Sequence, residues 1–138
     1  MIKQIVKNNK KYATIIYSEY KPANEVNEIL DWNSSIQFLA FTKNKNQIIK
    51  PHRANIKKKI TNDNNEILII KKGLVEIYIF DLKKILIKKI KLKTNDIVIF
   101  YDCYHALKFL KKTLLLEFKN GPYNRETDIP KRFDFDLL

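Results

Sequence analysis

Short runs of β-branched and aromatic residues, separated by polar turns, make up most of this sequence, and they restrict its fold more than any other feature. Residues 74–80 and 97–100 are two such runs, each followed by a segment containing Asp, Asn or Lys. Runs of this length suit the strands of a sandwich or barrel. The sequence therefore predicts an all-β protein.

We predict ten strands along the chain. Their bounds are residues 12–17, 36–42, 47–52, 55–60, 66–71, 74–80, 85–92, 97–100, 106–110 and 113–118. The connections between several of them are short and polar, as antiparallel hairpins require. Residues 23–31 place apolar side chains at helical spacing but fit a strand equally well, so this segment is left undecided.

The length of the chain sets the number of domains that we expect. Its 138 residues suit one compact domain. Hydrophobic residues make up 45% of the chain and aromatic residues 12%, which is enough apolar surface for a core. We predict a single domain over residues 1–138.

Two residue types are too scarce for several kinds of site. The one cysteine, Cys103, excludes an internal disulfide and any zinc site built from several cysteines. The two glycines exclude the Gly-rich loops that bind nucleotide phosphates. A metal site in this chain would use oxygen and imidazole ligands.

The sequence has no apolar segment of membrane-spanning length. Its longest run without a charged residue, at 32–42, has eleven residues, whereas a spanning helix needs about 20. The first residues also lack the apolar core and cleavage site of a signal peptide. We expect a cytoplasmic protein without a membrane partner.

The net charge of +12 is the one feature that suggests nucleic-acid binding. However, 24 of the 27 basic residues are lysines, and they accompany 21 isoleucines and 14 asparagines, a composition typical of A/T-rich codons. Proteins that recognise nucleic acid more often use arginine, whose planar group pairs with phosphate and guanine. We therefore interpret the charge as a solvated surface and disfavour a nucleic-acid partner.

Three stretches in order carry a resemblance to a known family. The first is Pro51-His52-Arg53-Ala54-Asn55, followed by residues 66–77. The second is residues 92–99, followed by Tyr104-His105-Ala106. The third is residues 116–123, followed by Asp128 and Arg132-Phe133. Together they resemble the cupins, in particular small single-domain cupins that accompany sugar and surface-polysaccharide genes and end in Gly-Pro-Tyr followed by Arg-Phe. The resemblance implies a cupin-type double-stranded β-helix, or jelly roll, with a site in the barrel mouth.

The resemblance also implies a metal site. His52, Glu66 and His105 match the family's ligand pattern, whereas Ala54 replaces its second histidine. Two imidazoles and a carboxylate would leave open positions on a divalent ion such as Fe, Mn, Ni or Zn. Because one of the family's four ligands is missing, we keep a site without a metal as an equal alternative to the metal site.

A metal-free reaction is the second possibility that the resemblance implies. Similar cupins isomerise or epimerise keto-sugar nucleotides with a histidine base and a tyrosine or glutamate partner. His52 or His105 would be the base here, with Tyr123 or another tyrosine, Tyr101 or Tyr104, as proton donor. Ala54 removes the close histidine pair that such enzymes use.

We therefore expect a protein that binds or transforms a small molecule, such as a carbohydrate or sugar nucleotide. A cupin that only binds its ligand is the alternative, and the sequence leaves open whether the protein is an enzyme. Because the exposed edges of a sheet favour pairing, we also expect a homodimer.

Several other residues receive structural interpretations. Trp32, Phe38 and Phe41 are expected in the core rather than on a sugar-binding surface, and Cys103 is expected as a packed side chain. The C-terminal segment is expected to be clamped onto the domain, with Asp128 pairing with Arg125 or Arg132.

Overall fold

The computed structural model describes residues 1–56, 58–61 and 63–136, which form ten strands and, within those ranges, no α-helix. The all-β prediction is confirmed. The chain divides into two compact units, one made of Met1–Tyr20 and Asn64–Leu138 and the other of Lys21–Asp63. The predicted single domain and the finer cupin topology stay predictions. In the described part of the chain, nothing helical has the length and apolarity needed to cross a bilayer.

The first unit contains a five-stranded antiparallel sheet with the strand order β1-β2-β8-β5-β10. Its strands are β1 (Ile2–Lys7), β2 (Lys10–Ile16), β5 (Glu66–Lys72), β8 (Ile97–Phe100) and β10 (Leu114–Lys119). The central strands β2, β8 and β5 are rich in isoleucine, which suits their burial. Strands β1 and β10 form the two edges.

The same unit contains a three-stranded antiparallel sheet with the order β7-β6-β9. Its strands are β6 (Leu74–Phe80), β7 (Leu86–Lys93) and β9 (Tyr104–Phe109). One buried cluster joins the two sheets, because it draws Leu68, Ile70, Val98 and Phe100 from one and Val75, Ile77, Ile79 and Leu92 from the other. The first unit is thus consistent with a β-sandwich.

The C-terminal segment covers the outer face of the three-stranded sheet. Strand β6 is buried along nearly its whole length. Phe80, on the face of β6 away from the core residues Val75, Ile77 and Ile79, packs against the rings of Phe133 and Phe135 at centroid distances of 5.1 and 4.8 Å. Tyr104 of β9 meets Phe133 at 5.2 Å. Aromatic contacts therefore hold the C-terminal segment, residues 133–135, against the three-stranded sheet. In the described residues Asp128 pairs with the Asn124 backbone and with neither arginine.

A buried carboxylate lies on this outer face as well. Glu76 of β6 is 5% exposed. Its Oε1 accepts the hydroxyl hydrogen of Tyr78 and lies 3.1 Å from Lys89 Nζ. The Tyr78 hydrogen bond, opposed by burial and aided by Lys89, holds the pKa of Glu76 below its ordinary value. The carboxylate is therefore paired, as a buried charge requires.

Turns with positive φ connect the strands. Gly73 joins β5 to β6 at φ 116°, and a Cβ added there would lie 2.8 Å from the Lys112 carbonyl oxygen. Glycine is required at this position on both counts. Asn95, in the turn between β7 and β8, has φ 69°. Asparagine tolerates this region better than most side chains.

The second unit contains the hairpin of β3 (Val26–Glu28) and β4 (Leu39–Phe41). Residues 42–56 and 58–61 contain no strand, so the predicted strands 47–52 and 55–60 are wrong for every described position. Residue 57 of the second prediction lies outside the described residues. Ile48 and Ile56 are 83% and 94% exposed, because no neighbouring strand pairs with these segments.

Candidate functional site

Glu66 opens β5 and faces the interior of the first unit. In the strand register it lies opposite Phe100 of β8 on one side and Lys119 of β10 on the other. Phe100 belongs to the buried core, and directly opposed residues of antiparallel strands share a face. The face of Glu66 is therefore the inner face, at the point where β5 begins.

His105 reaches the same place from the other sheet. On β9 it lies opposite Ile79, which is a core residue of β6, so its side chain also faces inward. The imidazole ring stacks on the ring of Phe100, with centroids 3.9 Å apart and an interplanar angle of 2°. The stacking fixes the plane of the imidazole.

The two side chains meet between the sheets. His105 Nε2 lies 3.4 Å from Glu66 Oε1, and Lys119 Nζ lies 3.7 Å from Glu66 Oε2. Lys119 Nζ also lies 2.8 Å from Glu117 Oε1 at the sheet edge. The side chains of Glu66 and His105 are 19% and 22% exposed, so this cluster of Glu66, His105 and Lys119 is partly open to solvent.

Opposing effects set the ionisation of the cluster. Burial raises the pKa of Glu66, but the hydrogen bond and charge of His105, together with the ammonium of Lys119, outweigh it and leave the pKa below its ordinary value of 4.5. The hydrogen bond to Glu117, aided by the charge of Glu66, raises the pKa of Lys119. Near neutral pH the cluster therefore holds an ionised carboxylate and an ammonium group.

The second imidazole nitrogen of His105 stands out. Nδ1 is buried and has no hydrogen-bond partner among the described residues. A carboxylate only accepts hydrogen bonds, so Glu66 favours, of the two neutral tautomers of His105, the one with its proton on Nε2. Nδ1 then carries a lone pair, and an unsatisfied buried acceptor costs about 1–3 kcal/mol. Such an atom suits a proton acceptor, a ligand contact or a metal ligand.

Tyr123, predicted as a proton donor, lies beyond β10 in the C-terminal part of the first unit. It follows the cis Gly121–Pro122 bond and is 63% exposed. The two other tyrosines considered as proton donors have structural contacts. The Tyr101 hydroxyl lies 2.8 Å from Thr14 Oγ1, and the Tyr104 ring packs on Phe133.

Cys103 is packed, as expected. It is partly buried against the core, and its Sγ donates to the Tyr12 carbonyl oxygen at 3.5 Å. Burial, aided by the nearby charges of Asp102 and Glu66, raises the pKa of the Cys103 thiol to about 12. Because the nucleophile is the thiolate, this cysteine is unsuited to nucleophilic catalysis near neutral pH.

His52 belongs to the second unit, where it is exposed and outside any strand. Its Nδ1 lies 2.9 Å from the Lys50 carbonyl oxygen. Ala54 is likewise exposed and outside any strand. The predicted role of His52 as base or metal ligand stays a prediction.

The residues that the first unit brings together do not by themselves fit a divalent ion. Glu66 and His105 supply two protein ligands, whereas catalytic zinc sites commonly have three. The Lys119 ammonium also competes for the carboxylate. Across residues 1–56, 58–61 and 63–136, no three His, Cys, Asp or Glu side chains are grouped to share a metal. A metal bound by His52, Glu66 and His105 stays a prediction.

Sequence patterns missed two members of the site, Lys119 and Phe100. The alternation of side chains along β10 and β8 indicates on which face of its strand each residue lies. Only the pairing of these strands with β5 places Lys119 and Phe100 beside Glu66. No protein-family model, curated protein or solved structure matches this chain. The chemistry of the cluster is therefore the basis for a functional proposal.

Proposed function

We propose that the first unit binds a small polar molecule at the cluster of Glu66, His105 and Lys119, and that His105 exchanges a proton with it. The buried, unpartnered Nδ1 of His105 supports this proposal most strongly, because a ligand hydroxyl would satisfy it. An imidazole is also the side chain whose ordinary pKa best suits proton transfer near neutral pH.

Each neighbour has a part in this proposal. Glu66 holds the Nε2 proton and stabilises the imidazolium that forms when Nδ1 accepts a proton. Phe100 keeps the ring in one plane. Lys119 supplies a positive charge for an anionic or carbonyl oxygen, and the exposed Tyr123 is the proposed proton donor. The ligand has to enter between the sheets to reach Nδ1.

A carbohydrate or sugar nucleotide is the ligand class we propose, following the cupin resemblance. Both offer hydroxyl groups for Nδ1, and a sugar nucleotide adds phosphate oxygens for Lys119. A ligand that binds without reacting would make the protein a binding cupin.

The two histidines of the chain make a direct test possible, because each gives one Cε1 proton signal in an NMR spectrum. We would titrate the full chain with glucose, glucose 1-phosphate and UDP-glucose. The proposal predicts a saturable shift of the His105 signal and at least tenfold weaker binding in His105→Ala. A matched His52→Ala variant should bind as the wild type does.

Movement of the His52 signal alone, or equal affinity in His105→Ala, would overturn the proposal. Zn²⁺ forms a separate arm of the experiment. If Zn²⁺ binds and both His52→Ala and His105→Ala abolish its binding, the three-ligand metal site replaces the metal-free one. Turnover of a bound sugar nucleotide would distinguish an enzyme from a binding protein.

We also propose that the protein is a homodimer paired through β10. This strand is an edge of the five-stranded sheet, so one side of its backbone has no strand partner in that sheet. Three alternate side chains along it are exposed and apolar, namely Leu114, Leu116 and Phe118 at 59%, 43% and 51%. A second copy would cover both the edge and this row.

A further inference from the structure

A groove of about 710 Å³ lies within the second unit, whereas the cluster of Glu66, His105 and Lys119 belongs to the first. Its size falls within the range of small-molecule sites, roughly 300–1,000 Å³. The ring of Trp32 lines it and is 66% exposed, so the interpretation of Trp32 as a core residue is wrong. A large exposed indole in a groove of polar side chains indicates a ligand surface.

Two hydrogen bonds from backbone amides to Asp31 hold the turn that carries Trp32. Ser34 N donates to the Asp31 carbonyl oxygen at 3.0 Å, and Asn33 N donates to Asp31 Oδ1 at 2.8 Å. Below the turn, Leu30 N donates to the Phe38 carbonyl oxygen at 3.2 Å. The indole is therefore presented from a closed turn, which lowers the entropy lost when a ligand binds.

Apart from Ile60, the remaining wall of the groove is polar. Asp63 Oδ2 accepts a hydrogen bond from Ser35 N at 3.2 Å, which ties the chain near residue 63 to the Trp32 loop. The groove also presents amide and hydroxyl side chains, from Asn33, Ser34, Gln37 and Thr61. Amides and hydroxyls both donate and accept hydrogen bonds. One lysine, Lys59, and one carboxylate, Asp63, balance the charge of the lining.

We propose that this groove binds a neutral saccharide of one or a few sugar units. A sugar ring has an apolar C–H face that packs on an indole, while its hydroxyl groups require mixed donors and acceptors at the rim. The lining supplies both kinds of contact and has no excess charge to favour an anion. This proposal is independent of the one for the first unit, since the two sites lie in different units.

The experiment uses the fact that Trp32 is the only tryptophan in the chain. We would titrate the full chain with glucose, galactose, N-acetylglucosamine and their disaccharides, and follow tryptophan emission. The proposal predicts a saturable blue shift with at least one of them, because the sugar displaces water from the indole. Calorimetry of Gln37→Ala should show affinity about three- to tenfold weaker, as expected for loss of one hydrogen bond.

Two controls separate this groove from other surfaces. Phe41→Ala removes another exposed aromatic of the same unit that does not line the groove, and should leave the affinity unchanged. His105→Ala should also leave it unchanged, so failure of the first-unit proposal is distinguishable from failure of this one. Any of three results would overturn the proposal. The first is no saturable emission change with any saccharide, and the second is a calorimetric affinity of Trp32→Ala equal to that of the wild type. The third is binding of uracil, a planar ring without sugar hydroxyls, as tight as that of the saccharide.

Discussion

Glu66 lies between an imidazole and an ammonium group, and the proposed chemistry of the first unit rests on these contacts. His105 and Lys119 keep Glu66 ionised in spite of its burial. The contact of Glu66 with His105 also links the two sheets, since Glu66 is on β5 and His105 on β9. A change at Glu66 should therefore be visible in stability as well as in ligand binding.

Replacing Glu66 with Gln should lower the free energy of unfolding by about 1–2 kcal/mol near pH 7, the order expected for losing a hydrogen bond to a charged group. The folded-state pKa of Glu66 is lowered, so the contribution is fully present above the ordinary value of 4.5 and is lost as the pH falls through the folded pKa. Urea unfolding between pH 3 and 8 would measure this difference.

Glu117→Gln is the matched control for this series, because Glu117 contacts Lys119 but lies at the exposed edge strand. We expect a smaller effect from it. A difference between wild type and Glu66→Gln that stays constant down to pH 3 would contradict the proposed coupling.

At the level of strands, the first unit was largely predictable, whereas in the second only β4 (Leu39–Phe41) lies within a predicted strand, 36–42. β6 and β8 have the predicted bounds, and β2, β5, β7, β9 and β10 differ from theirs by one or two residues. Their apolar runs are long enough to be buried by two packed sheets. β1 was missed because Lys3 and Gln4 interrupt its apolar residues. The segment 23–31, left undecided between helix and strand, contains β3, which has only three residues, Val26–Glu28.

The wrong strands at 47–52 and 55–60 show the limit of local pattern. The isoleucines of these segments have strand propensity, but a strand also needs a neighbouring edge with which to pair. No pairing forms along residues 47–56 and 58–60. Local pattern also does not bring distant residues together. Glu66 and His105 were placed in one site only through the family resemblance, and Lys119 was missed because its position beside Glu66 depends on the pairing of β10 with β5.

The C-terminal segment gives a prediction for this scale. Replacing both Phe133 and Phe135 with Ala should lower the free energy of unfolding by about 1–3 kcal/mol, because each ring packs edge to face on Phe80. Ile129→Ala is the control, since Ile129 is 71% exposed. Equal unfolding midpoints in urea for the double variant and the wild type would contradict the clamp.

For the whole molecule, the prediction is a change of assembly state. Replacing Phe118 with Lys places a charge in the exposed apolar row of β10 and should convert a dimer to a monomer in sedimentation equilibrium at micromolar concentration. Leu82→Lys is the control, because Leu82 is 52% exposed outside this row. A wild-type protein that sediments as a monomer would exclude the dimer.

The most direct test of the central claim is the protonation state of His105, read from long-range ¹H–¹⁵N NMR spectra of the full chain, with His52→Ala used to assign the two imidazoles. We predict that neutral His105 carries its proton on Nε2 beside Glu66 and leaves Nδ1 unprotonated. In Glu66→Gln this preference should weaken. A proton on Nδ1 of the neutral ring would contradict the proposal, because the buried nitrogen would then have no lone pair to accept a proton.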